Sequence, residues 1–146
     1  MAKERSRIAA RKTMLTRRES REVVFGMVYE LEFNREYNVD EIFENAVSER
    51  DIEPNDYVRT TFFGVAEKLD EIDALIAEKS RGWNLDRISR VSRAAMRLCI
   101  YEIKWTETPY NIAINEAIEI VKKYDDTKAK GFVNGVLNAI AKETEK

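Results

Sequence analysis

Pro109-Tyr-Asn-Ile-Ala-Ile-Asn-Glu-Ala-Ile-Glu-Ile-Val-Lys-Lys-Tyr124, followed by Phe132-Val-Asn-Gly-Val-Leu-Asn-Ala-Ile-Ala141, decides the fold class of this chain. In the first stretch Ile114, Ala117, Ile118, Val121 and Tyr124 recur at helical spacing. In the second, Phe132, Val133, Val136, Leu137 and Ile140 do the same. Each is one apolar stripe on an otherwise polar helix, and two such helices joined by a short loop bury their stripes together. Thr108-Pro109 starts the first, with Thr108 or Asn111 as cap, and the loop from Asp125 to Gly131 turns into the second. Gly135 inside the last helix costs stability, so close backbone packing is the expected compensation.

Moving outward, the same period recurs. A first helix is expected from about Arg18 to Phe33, and a short second one after Asn38, where Asn38 and Glu41 stand at capping-box spacing. Val58, Phe62, Val65, Leu69, Ile72 and Ile76 alternate steps of four and three, which predicts one long helix with Pro54 in its first turn and Gly82 at its end. Asn84 caps a short helix from Leu85 to Arg90, which leads into a helix from Val91 to Trp105. That helix is apolar on two sides, with Val91, Ala94, Leu98 and Tyr101 on one and Met96, Cys99, Ile100 and Ile103 on another. Such a helix belongs at the centre of its domain. No strand pattern and no internal repeat occurs. The expectation is an all-α fold of about seven helices.

Composition agrees. The chain has 146 residues, 36% of them charged, with only 5 Gly and 2 Pro to interrupt helices. That length suits one domain over residues 17–146, with residues 1–16 as a basic, mobile extension. The formal net charge of −2 hides an asymmetry. Residues 1–21 hold eight bases and two acids, so a segment of +6 precedes a body of −8. This suggests a polyanion met at one place, or a solvated tail. No apolar run is long enough to span a membrane, and the start lacks the apolar core of a signal peptide. With one cysteine there is no internal disulfide framework, and the expected compartment is the cytoplasm.

The chemistry of catalysis is missing from the sequence. There is no histidine, which removes Ser-His-Asp and Cys-His arrangements and the commonest metal ligand. Cys99 lies among apolar neighbours, where a thiol is buried and inert. No glycine-rich phosphate loop follows a strand. Asp70, Glu71 and Asp73 read as a solvated helix face rather than a cation site. The chain is therefore expected not to be an enzyme and to need no cofactor and no metal.

Binding chemistry is easier to find. On the first helix Val23, Val24, Met27 and Leu31 face one way, while Arg18, Glu22, Phe25 and Tyr29 face the other. Rings in line with an arginine suit the stacked bases and phosphates of single-stranded RNA. The competing reading is a helix buried all round. Lys128 and Lys130, before Phe132, place two cations near a helix N-terminus, which suits phosphate, or form an ordinary exposed loop.

Several stretches together resemble the NusB family of bacterial transcription antitermination factors. They are Arg17-Arg18-Glu-Ser-Arg21-Glu22 with Tyr29, then Trp83 and Asp86-Arg87-Ile88, then Arg93-Ala-Ala-Met-Arg97-Leu98 with Tyr101-Glu102-Ile103. Ala113-Ile-Asn-Glu-Ala117 and Phe132-Val-Asn-Gly-Val-Leu137 complete the set, and the resemblance covers roughly residues 17–142. There are departures: Ser92 stands where the family commonly has an acid, Ala129 where serine is frequent, and Asn138 where aspartate is common. The resemblance implies two small helical bundles. It also implies binding of single-stranded boxA RNA in nascent ribosomal RNA transcripts together with NusE, the ribosomal protein that doubles as a Nus factor. The assembly would then join RNA polymerase with NusA and NusG. On this resemblance Arg17, Arg18, Arg21, Tyr29 and the helix start at Phe132 line the RNA surface, with Phe25, Lys128 and Lys130 added from the residues themselves. The NusE face falls near Ser92 and Arg93. A homodimer that covers the RNA face is compatible with the sequence. The alternatives are a NusB-like RNA-binding or protein-binding module acting with an rRNA-modifying or ribosome-assembly partner, and a purely protein-binding adaptor.

Overall fold

Four helix starts among the described residues carry side-chain caps, at Thr16, Asn38, Asn55 and Ser89, some of them invisible to a search for apolar stripes. A computed structural model describes residues 15–33, 38–80 and 87–144 and contains seven helices among them. The first, α1, runs Arg17–Phe33. Its cap is a capping box: Thr16 Oγ1 accepts the Glu19 N–H at 3.0 Å, and Glu19 Oε1 accepts the Thr16 N–H at 2.9 Å. Leu15, ahead of the helix, packs against the core. The next, α2, runs Val39–Arg50, with Asn38 Oδ1 accepting the Asp40 N–H at 2.8 Å. It ends at Asp51, which takes up the left-handed conformation with φ 51° while the Ile52 N–H reaches back to the Val47 carbonyl at 3.2 Å.

The expected long third helix is two helices. α3 spans Asp56–Glu67 and α4 spans Leu69–Lys79, with Lys68 between them at φ −97° and ψ 12°. Hydrogen bonds from the Lys68 N–H to the Gly64 carbonyl and from the Ile72 N–H to the Lys68 carbonyl bridge the junction. The apolar seam therefore keeps its phase: Val58, Phe62, Val65, Ile72 and Ile76 are all fully buried. Periodicity alone could not show the break. Nor does Pro54 open the helix; Asn55 caps it, accepting the Val58 N–H at 2.8 Å. Gly82, Trp83, Asn84, Leu85 and Asp86 lie outside the described residues. The short helix expected up to Arg90 does not reach it, because Ser89 is the non-helical cap of the next one and accepts the Ser92 N–H at 3.0 Å.

That next helix, α5 (Arg90–Trp105), is buried at every position from Ser92 to Ile103. It packs on α1 and α3 on one side. On the other it meets α4, α6 (Tyr110–Tyr124) and α7 (Ala129–Thr144). The result is an N-terminal bundle of α1–α3 and a C-terminal bundle of α4–α7 with α5 serving both, the all-α arrangement expected. Among the described residues, a Cβ at Gly135 or Gly131 would meet nothing within 4 Å.

Four buried charges, Arg21, Arg93, Arg97 and Glu102, sit on or against α5. Arg97 is fully buried and reaches Asp73 of α4 through two bonds of 2.8 Å, and Glu32 of α1. Asp73 is thus an ion-pair partner and not part of a solvated face. Glu102 is 1% exposed. It accepts two bonds from the Arg21 guanidinium, at 2.9 and 3.0 Å, and one each from Tyr57 and Thr108, at 2.8 and 3.1 Å. Removing one partner of such a pair strands a charge, so these contacts hold α1, α3, α4 and α5 in one relative position.

Candidate nucleic-acid interface

The exposed chemistry collects where α1 crosses α6. A cleft of about 370 Å³ lies between them, lined by Arg18, Arg21 and Glu22 of α1 and by Glu116, Glu119, Ile120, Lys122 and Lys123 of α6. Two ion pairs cross it in opposite senses. Arg18 donates to Glu116 at 3.2 and 3.3 Å, and Lys123 donates to Glu22 at 2.7 Å. The Tyr124 hydroxyl also donates to Glu22, at 2.9 Å. Hydrogen bonding from Lys123 holds the Glu22 carboxyl below its ordinary range, and the bond to Glu116 raises Arg18.

Aromatic rings continue along the same edge. Tyr124 stacks on Phe25 with centroids 5.5 Å apart and planes at 18°. Phe25 leads to Tyr29 at 6.3 Å, and Tyr29 to Phe33 at 5.0 Å. The row has exposed ends, Tyr124 and Phe33 each at 49%, and a covered middle. Rings with one free face are what unpaired bases stack on.

The expected binding residues divide accordingly. Arg18 lines the cleft and Tyr29 is half-buried in the ring row. Arg17 is exposed with its guanidinium 4.1 Å over the Tyr57 ring. Lys128 and Lys130 are exposed at the start of α7. Asp126 Oδ1 already accepts the Lys128 N–H there, at 3.2 Å, so the amide is not an open phosphate site. Phe132 is partly buried beside a second cavity of about 370 Å³ with Lys79, Ser80, Gly131, Gly135 and Val136.

Two expected contacts are not presented to solvent. Phe25 is 8% exposed, its ring covered by Tyr124; the wheel of a single helix could not show a neighbour supplied by α6. Arg21 is 7% exposed and committed to Glu102. Burial works against its charge, and the bonds to Glu102 outweigh burial and raise it. The partner face near Ser92 and Arg93 is similar. Ser92 is 2% exposed and donates to Asp125 at 2.7 Å, while Arg93 is 8% exposed and 3.4 Å from Glu32. Burial alone would raise the Asp125 carboxyl; hydrogen bonds from Ser89, Ser92 and the Asp126 N–H bring it below its ordinary value. What faces outward at that corner is Phe33, with the Arg90 guanidinium 4.5 Å over its ring.

Sequence reading missed Tyr124, Lys123 and Phe33. The spacing of Phe25, Tyr29 and Phe33 would have found the last. Tyr124 was hidden by its place at the end of an apolar stripe.

The model of the NusB family matches residues 18–142. The chain belongs to the NusB family. A transcription antitermination protein NusB of Thermoanaerobacter sp. (strain X514) is 38% identical over 130 residues, which span 88% of this chain and 92% of the relative. Among solved structures, NusB of T. maritima superposes with a TM-score of 0.79 at 35% identity, over 88% of this chain and 92% of that one. The crystal structure of antitermination factors NusB and NusE in complex with dsRNA gives 0.78 at 30% identity, over 87% of this chain and 96% of its counterpart. Within the NusB family, then, this chain carries its outward rings and cations along α1, the end of α6 and the start of α7.

Proposed function

We propose that this chain is a transcription antitermination factor that binds single-stranded boxA RNA of nascent ribosomal RNA transcripts together with NusE. The assembly then joins RNA polymerase with NusA and NusG. The observation that carries the reading is the union, between α1 and α6, of a cleft lined by cations and their carboxylate partners with a row of rings open at both ends. The likeness to a NusB solved with NusE and RNA supports it. Phosphates are drawn by Arg17, Arg18, Lys123, Lys128 and Lys130. Bases stack on Tyr124, Tyr29 and Phe132. Arg21 and Phe25 act beneath this surface, one fixing α1 to α5 and the other carrying the Tyr124 ring. Phe33 and Arg90 form the outward part of the NusE face, supported by Ser92 and Arg93.

The test is binding of a short boxA RNA and a scrambled control, with and without NusE, at two salt concentrations. A preference for boxA that NusE strengthens and salt weakens steeply supports the reading. Equal binding of both RNAs regardless of NusE, or no binding, overturns it. In that case a protein-binding adaptor takes its place.

A further inference from the structure

We infer that Glu22 and Glu116 are built-in competitors for RNA phosphate, and that they set how tightly the α1–α6 cleft holds RNA. The inference rests on the RNA-binding reading above. Two of the three outward cations of the cleft are already neutralised from the opposite helix, Arg18 by Glu116 and Lys123 by Glu22. Arg21, the remaining arginine, is held by the buried Glu102 and cannot be released without disrupting the core.

Stability gives little reason for these two pairs. Arg18 has a 71% exposed side chain and Lys123 a 58% exposed one, and ion pairs so open to water contribute little to folding. Their consequence for binding is larger. A phosphate entering the cleft must displace a carboxylate from its cation and then lie beside the displaced negative charge. Replacing either glutamate by glutamine frees a cation and removes that repulsion in one step. Lys122 is not in the same position, because its partner Glu119 lies on its own helix at 3.5 Å and can move with it.

The experiment measures the affinity of full-length Glu22→Gln, Glu116→Gln and Glu44→Gln for labelled single-stranded boxA RNA across a salt series. Glu44 is exposed on α2, lines a different cavity, and controls for net charge alone. Each cleft variant is expected to bind roughly three- to tenfold tighter than the wild type. Its log–log salt dependence is expected to steepen by about 0.7, the contribution of one further phosphate contact on a single strand. The gain from Glu116→Gln should disappear in an Arg18→Ala background, since the glutamate acts through that arginine. If the wild type binds and the cleft variants gain no more than Glu44→Gln, the inference is overturned while the RNA-binding reading stands. If neither the wild type nor any variant binds RNA, the RNA-binding reading fails and takes the inference with it.

Discussion

Arg21 shows how far a residue's neighbours decide its role. In sequence it belongs to a basic cluster with Arg17 and Arg18. In the fold it turns inward and closes a bidentate pair with Glu102, 81 positions away. Arg21→Ala is expected to destabilise the protein by about 3 kcal/mol, at the low end for breaking a buried pair, because Tyr57 and Thr108 still donate to the carboxylate. Urea unfolding would show a lower midpoint at unchanged slope, whereas a purely RNA-contacting arginine would leave the midpoint alone. Tyr57 offers a second check. Burial, and then the Glu102 charge, hold its phenol well above the ordinary value of 10.0. The folded state therefore keeps the proton where the unfolded chain loses it, and stability falls as pH rises above about 10. Comparing wild type with Tyr57→Phe between pH 10 and 11.5, the variant should lose less stability, by up to about 1.4 kcal/mol per pH unit. Parallel slopes would place the phenol in water. None of this network was legible in the sequence. Burying a charge needs a partner, and Glu32, Asp73 and Arg21 lie far along the chain from Arg97 and Glu102.

At the scale of elements, what the sequence made legible was each helix's apolar face. Of the seam through Val58, Phe62, Val65, Leu69, Ile72 and Ile76, all but the half-buried Leu69 lie fully in the core even though the helix breaks at Lys68, because the break preserves phase. The burial of α5 was legible because apolar residues occupy two of its sides. Boundaries set by side chains were less so. Thr16-x-x-Glu19 is a readable capping box that the dense arginines around it obscured. Helix propensity is the same wherever a glycine lies, but its surroundings are not. A Cβ on Gly64 would land on the Tyr101 phenol, which packs directly against the α3 backbone. Gly64→Ala is expected to cost about 1–3 kcal/mol through overpacking. Gly135→Ala, with no described residue within 4 Å of the added Cβ, should instead stabilise by about 0.5–1 kcal/mol through helix propensity. Thermal melts of the two variants should move in opposite directions. A destabilised Gly135→Ala would mean that a close contact occupies the Cβ position after all.

At the scale of the whole molecule, folding and RNA attraction draw on different parts of the chain. The core cluster runs without interruption from Val24 to Ala141 through both bundles. The densest positive charge lies ahead of it. Residues 1–14 carry five bases and one acid. Removing them leaves Thr16 and Glu19 to cap α1 and leaves every buried charge paired. A chain beginning at Leu15 keeps these caps and ion pairs. Its RNA affinity should fall, and the slope of log affinity against log salt should shrink by as much as about 3, in proportion to the positive charge removed. An unchanged slope would mean that the leading segment is a solvated tail and that the helices alone supply the phosphate contacts. The comparison also bears on the cleft. Once the leading charge is gone, Arg18 and Lys123 supply a larger share of the attraction. The advantage of Glu116→Gln over the wild-type residue should then persist in the shortened chain at low salt, where the remaining phosphate contacts are least screened.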